Sequence, residues 1–341
     1  EVILDLGSSP LADEFPRDHR AVLKAYPLQM LQCARCKLAQ IGEVVDDQEL
    51  WHGEYAYYSS TSAALRAHFA EYAKTVLQRY PTQAHRLTVD VGCNDGLLLQ
   101  HFAWEGCRAI GIDPAKGPAA VAINERGLDV RVEQFGATMA AQFVDVEGRA
   151  GVVAANNVAA HVADLDDFLN GLRILLAPDG LLVMEVQYLP DLLVGNGFDM
   201  LYHEHRFYYS LASLKHALAL RELRMVGVEY VATQSGSIRV FVKRAETAHH
   251  RATSTALRLD NALQAESRLG DGGLVAGLQF RANRIADRLH AELERLKRRG
   301  LVIAGYGAPA KATTLLHWTG AGQYLSWVED TTPFKQGRYM P

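Results

Sequence analysis

Apolar residues at three- and four-residue steps open the regular part of the chain. Leu65, Phe69, Tyr72, Ala73, Val76 and Leu77, between Ala63 and Tyr80, describe an amphipathic helix. The pattern then shortens. LTVDVG, residues 87–92, reads as a buried strand, followed by a glycine-bearing turn and the helix GLLLQHFAWEG. RAIGID and DVRVEQ read as the second and third strands, with the helix AAVAINERG between them. VVAANN and LLVMEV read as the fourth and fifth, on either side of a helix spanning DLDDFLNGLRILLAPDG. Strands alternating with helices predict an α/β fold: a parallel, doubly wound, Rossmann-like sheet with crossover connections.

Beyond Leu201 come a His-rich segment, a helix from Ser210 to Leu220, and two strands around MVGVEYV and SIRVFVKR. These strands are expected to extend the first sheet or to cover its ligand face. Ala252 to Arg299, rich in Ala, Leu, Arg and Glu with one GDGG break, reads as a helical connector. A second strand–turn–helix opens at Leu301 in LVIAGYGAPAKATTLLHW. The expected organisation is a mixed segment over 1–60, an α/β domain over 61–250, a connector over 251–299, and the start of a second Rossmann-like domain over 300–341. One βα unit cannot bury a sheet, and the first residue is Glu1, so the chain is read as a fragment lacking sequence at both ends.

With 49% hydrophobic and 22% charged residues over 341 positions, two or three domains with real cores are expected. The formal charge of −4 gives no reason to expect nucleic acid or an anionic membrane as partner. No apolar run approaches the roughly 20 residues of a membrane span. The four cysteines, Cys33, Cys36, Cys93 and Cys107, are too few for a disulfide framework and point to a reducing, cytoplasmic setting.

VDVGCNDG places Asp90, Gly92, Asn94 and Gly96 between a strand and a helix, where backbone can approach a ligand and free N–H groups face it. Asp113, at the end of the second strand, suits both hydroxyls of an adenosine ribose. An acid there serves nicotinamide cofactors and S-adenosylmethionine alike. The third glycine of the dinucleotide fingerprint is absent, however, and the turn resembles the first motif of class I methyltransferases. On that resemblance Gln134 and Phe135 hold adenine, while Asn156 and Asn157 line the path of the methionine portion and methyl.

FDMLYHEHRFYYS gathers Tyr202, His203, Glu204 and His205 soon after the fifth strand, and His161 follows the fourth. Both are expected at the ligand-bearing edge of the sheet. A metal site, packed or surface histidines, and general-base chemistry compete for this segment. Four polar or titratable residues beside a methyl-donor site favour the last: His205 takes a proton, Glu204 orients it and Tyr202 polarises an oxygen.

YYSSTS, GCNDG, YHEH and GYGAPAK, in that order, resemble the sugar C-methyltransferases that build branched deoxysugars in antibiotic pathways, over nearly the whole chain. The resemblance implies an S-adenosylmethionine-dependent enzyme, read as a monomer, that methylates a dTDP-linked 4-keto-deoxysugar on the carbon beside the ketone through an enolate. It implies His205 as base with Glu204 in support. Tyr202, His161 and a tyrosine of the Tyr55, Tyr57 and Tyr58 group, Tyr57 foremost, line the sugar, with Ser59 and His203 beside them. It also implies structural zinc on two Cys-x-x-Cys pairs, of which only Cys33 and Cys36 are present, the other pair being expected ahead of Glu1. QSGSIRVF departs from a family Gly-Gly-Ser pattern at Ser235 and Ser237. Tyr306, Gly307 and Lys311 of GYGAPAK are the candidates for the diphosphate; Asp330 comes too close to the last residue to be read. A nicotinamide oxidoreductase, an O- or N-methyltransferase of the same fold, and a non-catalytic sugar-nucleotide binder stay open as alternatives.

Overall fold

The structure, a computed structural model, describes residues 1–50, 57–83, 86–233, 236–248, 254–269 and 273–341. Two compact units are each assembled from separate stretches of chain. Glu1–His52, Leu189–Ser210 and Ser267–Pro341 form the first; Gly53–Tyr188 and Leu211–Glu266 form the second.

The second unit is built on a seven-stranded sheet among the described residues. Its strands are β1 (Thr88–Val91), β2 (Ala109–Ile112), β3 (Asp129–Arg131), β4 (Ala150–Asn156), β5 (Leu176–Gln187), β6 (Leu223–Val231) and β7 (Ser237–Arg244). They run in the spatial order β6-β7-β5-β4-β1-β2-β3. β1 to β5 pair in parallel, and β7 lies antiparallel between β6 and β5. Chain order reverses between β1 and β4, which opens the crevice where ligands of such sheets bind. Both faces of β1 and β4 are covered: all of β1, including Thr88 and Asp90, and residues 150–155 of β4 are buried.

The helices of this unit are α1 (Ala63–Arg79), α2 (Leu97–Trp104), α3 (Lys116–Asn124), α4 (Ala137–Glu147), α5 (Leu165–Leu175), α6 (Leu211–Ala219) and α7 (Ser254–Leu269). Ser62 caps α1, accepting from the Leu65 N–H at 3.3 Å. The six apolar residues expected on the inner face of α1 are the ones it buries, against Val152, Ala154, Leu181, Val183 and Phe241 of the sheet. Each such side chain contributes roughly 1.5–3 kcal/mol when fully covered.

Two sequence expectations are resolved here. The helix read through Gly180 ends at Leu175, because Leu176 turns extended (φ −71°, ψ 131°) and Pro178 cannot continue a helix. MVGVEYV and SIRVFVKR extend the sheet rather than cover it.

A remote contact closes the unit. The Glu266 carboxylate of α7 accepts from the Leu211 N–H (2.6 Å), the Ala212 N–H (2.8 Å) and the Tyr188 hydroxyl (2.9 Å). It thereby satisfies the N-terminal donors of α6. Tyr188, Leu211 and Glu266 are also the residues at which the chain leaves, re-enters and leaves this unit.

In the first unit, strands Val2–Pro10, Ala25–Gln32, Ala39–Ile41 and Phe207–Tyr208 form an antiparallel sheet in that order. Leu4, Leu28, Met30, Ile41, Leu201 and Tyr208 make its core with Leu278 and Ala282 of the helix Leu278–Arg298. A parallel pair, Ala304–Tyr306 and Trp327–Glu329, flanks the helix Ala310–Thr319. That helix is tied down by Thr313, which donates to the Ala12 carbonyl (3.1 Å), and by Thr314, which donates to the Leu201 carbonyl (2.7 Å). No described helix is long and apolar enough to cross a membrane.

Candidate active site

The turn between β1 and α2 holds Gly92, Asn94 and Gly96 at left-handed φ of 75°, 52° and 77°. A Cβ on Gly92 would stand 2.9 Å from Val158, and one on Gly96 2.5 Å from Leu128, so the protein's own packing demands both glycines. Asp113, directly after β2, accepts from the N–H of Asn94 (2.8 Å) and of Ala115 (2.8 Å). An ionised carboxylate has about four acceptor positions, which leaves room for two ribose hydroxyls. Burial raises the Asp113 pKa, and those two N–H groups pull the other way. Asp90, beneath the turn, is pushed well above the usual carboxylate range by burial and then by Asp113.

Gln134 is exposed, whereas Phe135 is buried edge-on to Phe168 with centroids 5.6 Å apart. Asn156 ends β4 opposite Glu185. Asn157 has φ 54° and donates its N–H to the Glu185 carbonyl (2.8 Å). His161 is half-buried, its N–H donating to the Val158 carbonyl at 2.9 Å. These donor-binding candidates thus share one edge of one unit, and Asp113 and the turn residues fit the nucleoside of S-adenosylmethionine.

Asn94 does something the sequence reading did not assign. Its side-chain carbonyl accepts from the Ser59 N–H (2.9 Å), and its amide donates to the Tyr57 carbonyl (3.1 Å). Fully buried Asp95 accepts from the Ser60 N–H (3.1 Å) and pairs with Arg126 (3.6 Å). The YYSST loop is therefore stapled to the Gly92–Gly96 turn. Tyr57 is partly exposed, and the Tyr58 hydroxyl lies 3.0 Å from the Cβ position of Gly117. Tyr55 and Ser235 lie outside the described residues. Ser237, buried, donates to the Thr233 carbonyl (3.0 Å).

The YHEH segment belongs to the first unit, where it leads into the fourth strand of the sheet. The Tyr202 hydroxyl lies 2.8 Å from His205 Nε2, with the rings 4.2 Å apart between centroids. Buried His203 holds the Pro27 carbonyl through Nε2 (3.2 Å), and burial lowers its pKa. Glu204 is pushed well above the ordinary glutamate value by burial first and by Asp13 second, with Lys335 opposing. Burial also raises Asp13. Lys335 itself donates to the Ala308 carbonyl (2.7 Å), so the electrostatic partners of Glu204 come from the first and last stretches of the chain.

GYGAPAK repeats the architecture of the Gly92–Gly96 turn. Gly307 has φ 85° and donates its N–H to the Glu329 carbonyl (2.7 Å), as Gly92 donates to Ile112 (2.8 Å). Asp330 accepts from the N–H of Ala308 (2.7 Å) and Thr332 (2.7 Å), as Asp113 does from Asn94 and Ala115. Asp330 is therefore the acid at the end of the second strand that the sequence reading left aside; the alternation in SWVED, like that in RAIGID, was its signal. The N–H groups of Gly307 and Ala308 are spent on the protein. Tyr306 is exposed, and burial raises the pKa of Asp199, with Lys311 opposing.

Cys33 and Cys36 occupy the turn between Ala25–Gln32 and Ala39–Ile41, closed by the Lys37 N–H on the Cys33 carbonyl (3.0 Å) with Lys37 at φ 60°. The N–H groups of Cys36 and then Arg35 lower the Cys33 thiol pKa, a setting suited to a thiolate ligand. Among the described residues no group of three or more His, Cys, Asp or Glu side chains that could hold a metal ion gathers there or elsewhere.

Residues 1–51 match the family described as "Putative zinc binding domain", residues 65–228 the family "Methyltransferase domain", and residues 232–341 the family "C-methyltransferase C-terminal domain". The chain is 34% identical over 347 residues to the C-methyltransferase NovU of Streptomyces niveus, covering 99% of this chain and 80% of that protein. A shorter match, 36% over 99 residues, is to a ubiquinone biosynthesis O-methyltransferase of Azorhizobium caulinodans, covering 28% of this chain and 38% of that protein. Among solved structures, magnesium protoporphyrin IX methyltransferase (ChlM) from Synechocystis PCC 6803 with bound SAH aligns over 57% of this chain and 90% of its own, at 17% identity and a TM-score of 0.43.

Proposed function

The chain belongs to the C-methyltransferase family of NovU and is an S-adenosylmethionine-dependent C-methyltransferase, and from that premise we propose that its acceptor is a dTDP-linked 4-keto-deoxysugar, methylated on the carbon beside the ketone. The observation that carries the reading is the Tyr202 hydroxyl at 2.8 Å from the His205 imidazole, within a YHEH segment that follows YYSSTS and precedes GYGAPAK.

His205 takes the proton α to the ketone, and the C–H electron pair moves into an enolate whose oxygen Tyr202 stabilises by hydrogen bonding. When bound, S-adenosylmethionine supplies an electrophilic methyl group to the nucleophilic carbon. His161, Tyr57, Tyr58 and Ser59 line the sugar. Glu204, whose pKa is raised by burial and then by Asp13, serves as a hydrogen-bonding group beside the base. Asp113 and the Gly92–Gly96 turn hold the nucleoside of the donor, and Phe135 its adenine. Lys311 and the exposed Tyr306 face the diphosphate. Cys33 and Cys36 would serve as two of the four thiolate or imidazole ligands of a structural zinc.

The test uses a panel of 4-keto nucleotide sugars deuterated on the carbon beside the ketone. Methyl transfer with loss of that deuterium, and a new C–CH3 signal by NMR, is the expected result. Methylation that retains the deuterium would mean an oxygen or nitrogen acceptor and would end this reading.

A further inference from the structure

A cleft of about 760 Å3 opens in the second unit, bounded by α1, the end of β6, the start of β7 and α7. His68, Glu71, Glu229, Tyr230, Arg239 and Arg258 supply its polar and aromatic lining. That volume lies within the roughly 300–1,000 Å3 of small-molecule sites.

Beneath it, charges alternate. Arg79 pairs with Glu229 (2.5 Å), Glu229 with Arg239 (3.5 Å), Arg239 with Glu185 (2.6 Å), and Glu185 with His68 (2.9 Å). Glu185 is almost wholly buried and belongs to the strand end that also faces Asn156. Both of its oxygens lie on one nitrogen of His68, Nε2, at 3.0 and 2.9 Å. A carboxylate already paired with a guanidinium can only accept, so Nε2 carries the proton. In the neutral ring the lone pair is then on Nδ1, at the other polar edge of a side chain that lines the cleft. This is the carboxylate–imidazole arrangement that fixes a tautomer and leaves one acceptor for a ligand.

The other groups decide what that ligand is. Within the cleft two acids, Glu71 and Glu229, face two guanidinium groups, Arg239 and Arg258, so a polyanion gains no net attraction. Arg239 is engaged by Glu185, by Glu229 and by the Tyr72 ring beneath it at 4.1 Å. Tyr230 is 57% exposed, and its ring is braced edge-on by Tyr188 at 5.6 Å, whose hydroxyl is held in turn by Glu266. A braced, exposed aromatic face beside carboxylates, guanidinium groups and one oriented imidazole suits a neutral ring bearing several hydroxyls. We propose that this cleft is a carbohydrate subsite, in which His68 Nδ1 accepts a hydrogen bond from a sugar hydroxyl and Tyr230 stacks on the ring. It deepens, and rests on, the reading of the acceptor as a nucleotide sugar.

Two substitutions separate contact from scaffold. His68→Gln places an amide near Nε2, where it can keep the bond to Glu185 but has no acceptor at the Nδ1 position. His68→Asn does the reverse. Calorimetry on the full chain is to use dTDP-4-keto-6-deoxyglucose, dTDP alone and S-adenosylhomocysteine as probes. The sugar nucleotide is expected to bind about tenfold more weakly to His68→Gln and Tyr230→Ala, and near wild-type to His68→Asn, the scale of one lost hydrogen bond or ring contact. The affinities for dTDP and S-adenosylhomocysteine stay unchanged. A His68→Gln protein that binds the sugar nucleotide as wild type does, with His68→Asn weakened, makes His68 scaffolding and overturns the subsite. Should wild type methylate no keto sugar, the acceptor reading fails by itself. The subsite is then judged by titrating methyl β-D-glucopyranoside and following the His68 ring resonances by NMR: a saturable shift supports it, and no shift overturns it.

Discussion

Asn94 donates its side-chain amide to the carbonyl of Tyr57 at 3.1 Å while its own backbone N–H is held by Asp113 at 2.8 Å. One residue thus joins the acid expected at the donor ribose to the tyrosine loop expected at the acceptor. Asn94→Gly keeps the left-handed backbone and removes only the side-chain bonds to Tyr57 and Ser59. With each bond worth about 1 kcal/mol, kcat/KM is expected to fall roughly 10- to 30-fold. Asn94→Ala should lose about a further 1 kcal/mol of stability to backbone strain. Steady-state kinetics and thermal melts check both; a glycine variant with wild-type kcat/KM would mean that the loop does not need its staple.

His205→Asn is expected to lower kcat by about 10^2- to 10^4-fold, the range for loss of a general base. Tyr202→Phe removes the hydroxyl at 2.8 Å from Nε2 and should cost about tenfold. S-adenosylhomocysteine affinity, measured by calorimetry, should not change in either. Wild-type turnover in His205→Asn would remove this residue from the chemistry.

Glu204 has its pKa raised by burial and then by Asp13. Between the unfolded value, about 4, and the folded one, the native state binds the extra proton, so its stability falls as pH rises. Glu204→Gln has no proton to lose. Its melting temperature relative to wild type should therefore climb as the pH is raised above about 4. A difference that is flat with pH, or that shrinks, would contradict the raised pKa.

Glu266→Ala removes the acceptor of the Leu211 and Ala212 N–H groups and of the Tyr188 hydroxyl. A loss of about 2–3 kcal/mol is expected for donors left unmatched. Amide hydrogen exchange at residues 211 and 212 should quicken more than exchange in β1. Equal acceleration everywhere would indicate global rather than local weakening.

Local periodicity made much of the fold legible. The inner face of α1 could be named residue by residue because a helix buried on one side repeats its apolar positions, and β4 because a strand covered on both faces is largely apolar. The turn after β1 was readable for a similar reason: Gly92, Asn94 and Gly96 mark its left-handed backbone conformations, and Asp113 marks a strand end. Pairings across long stretches of chain leave no such trace. His68 meets Glu185 across 117 residues, and Glu266 reaches Leu211 across 55. The YHEH segment was expected at the edge of the large sheet by its position after β5. The strand that follows it pairs with Ala39 and Gln40, so the segment belongs to the first unit, a long-range pairing that local periodicity does not reveal.

The interleaving of β7 between β6 and β5 bears on how this enzyme can be dissected. The matched methyltransferase stretch stops at residue 228, inside β6, and the strand that joins β6 to β5 begins only at Ser237. A gene fragment cut there would leave β6 without a neighbour and bare the hydrogen-bonding edge of β5, an invitation to intermolecular pairing. A soluble piece of the second unit has to run through Glu266, and it still carries residues 189–210 as an excursion into the other unit.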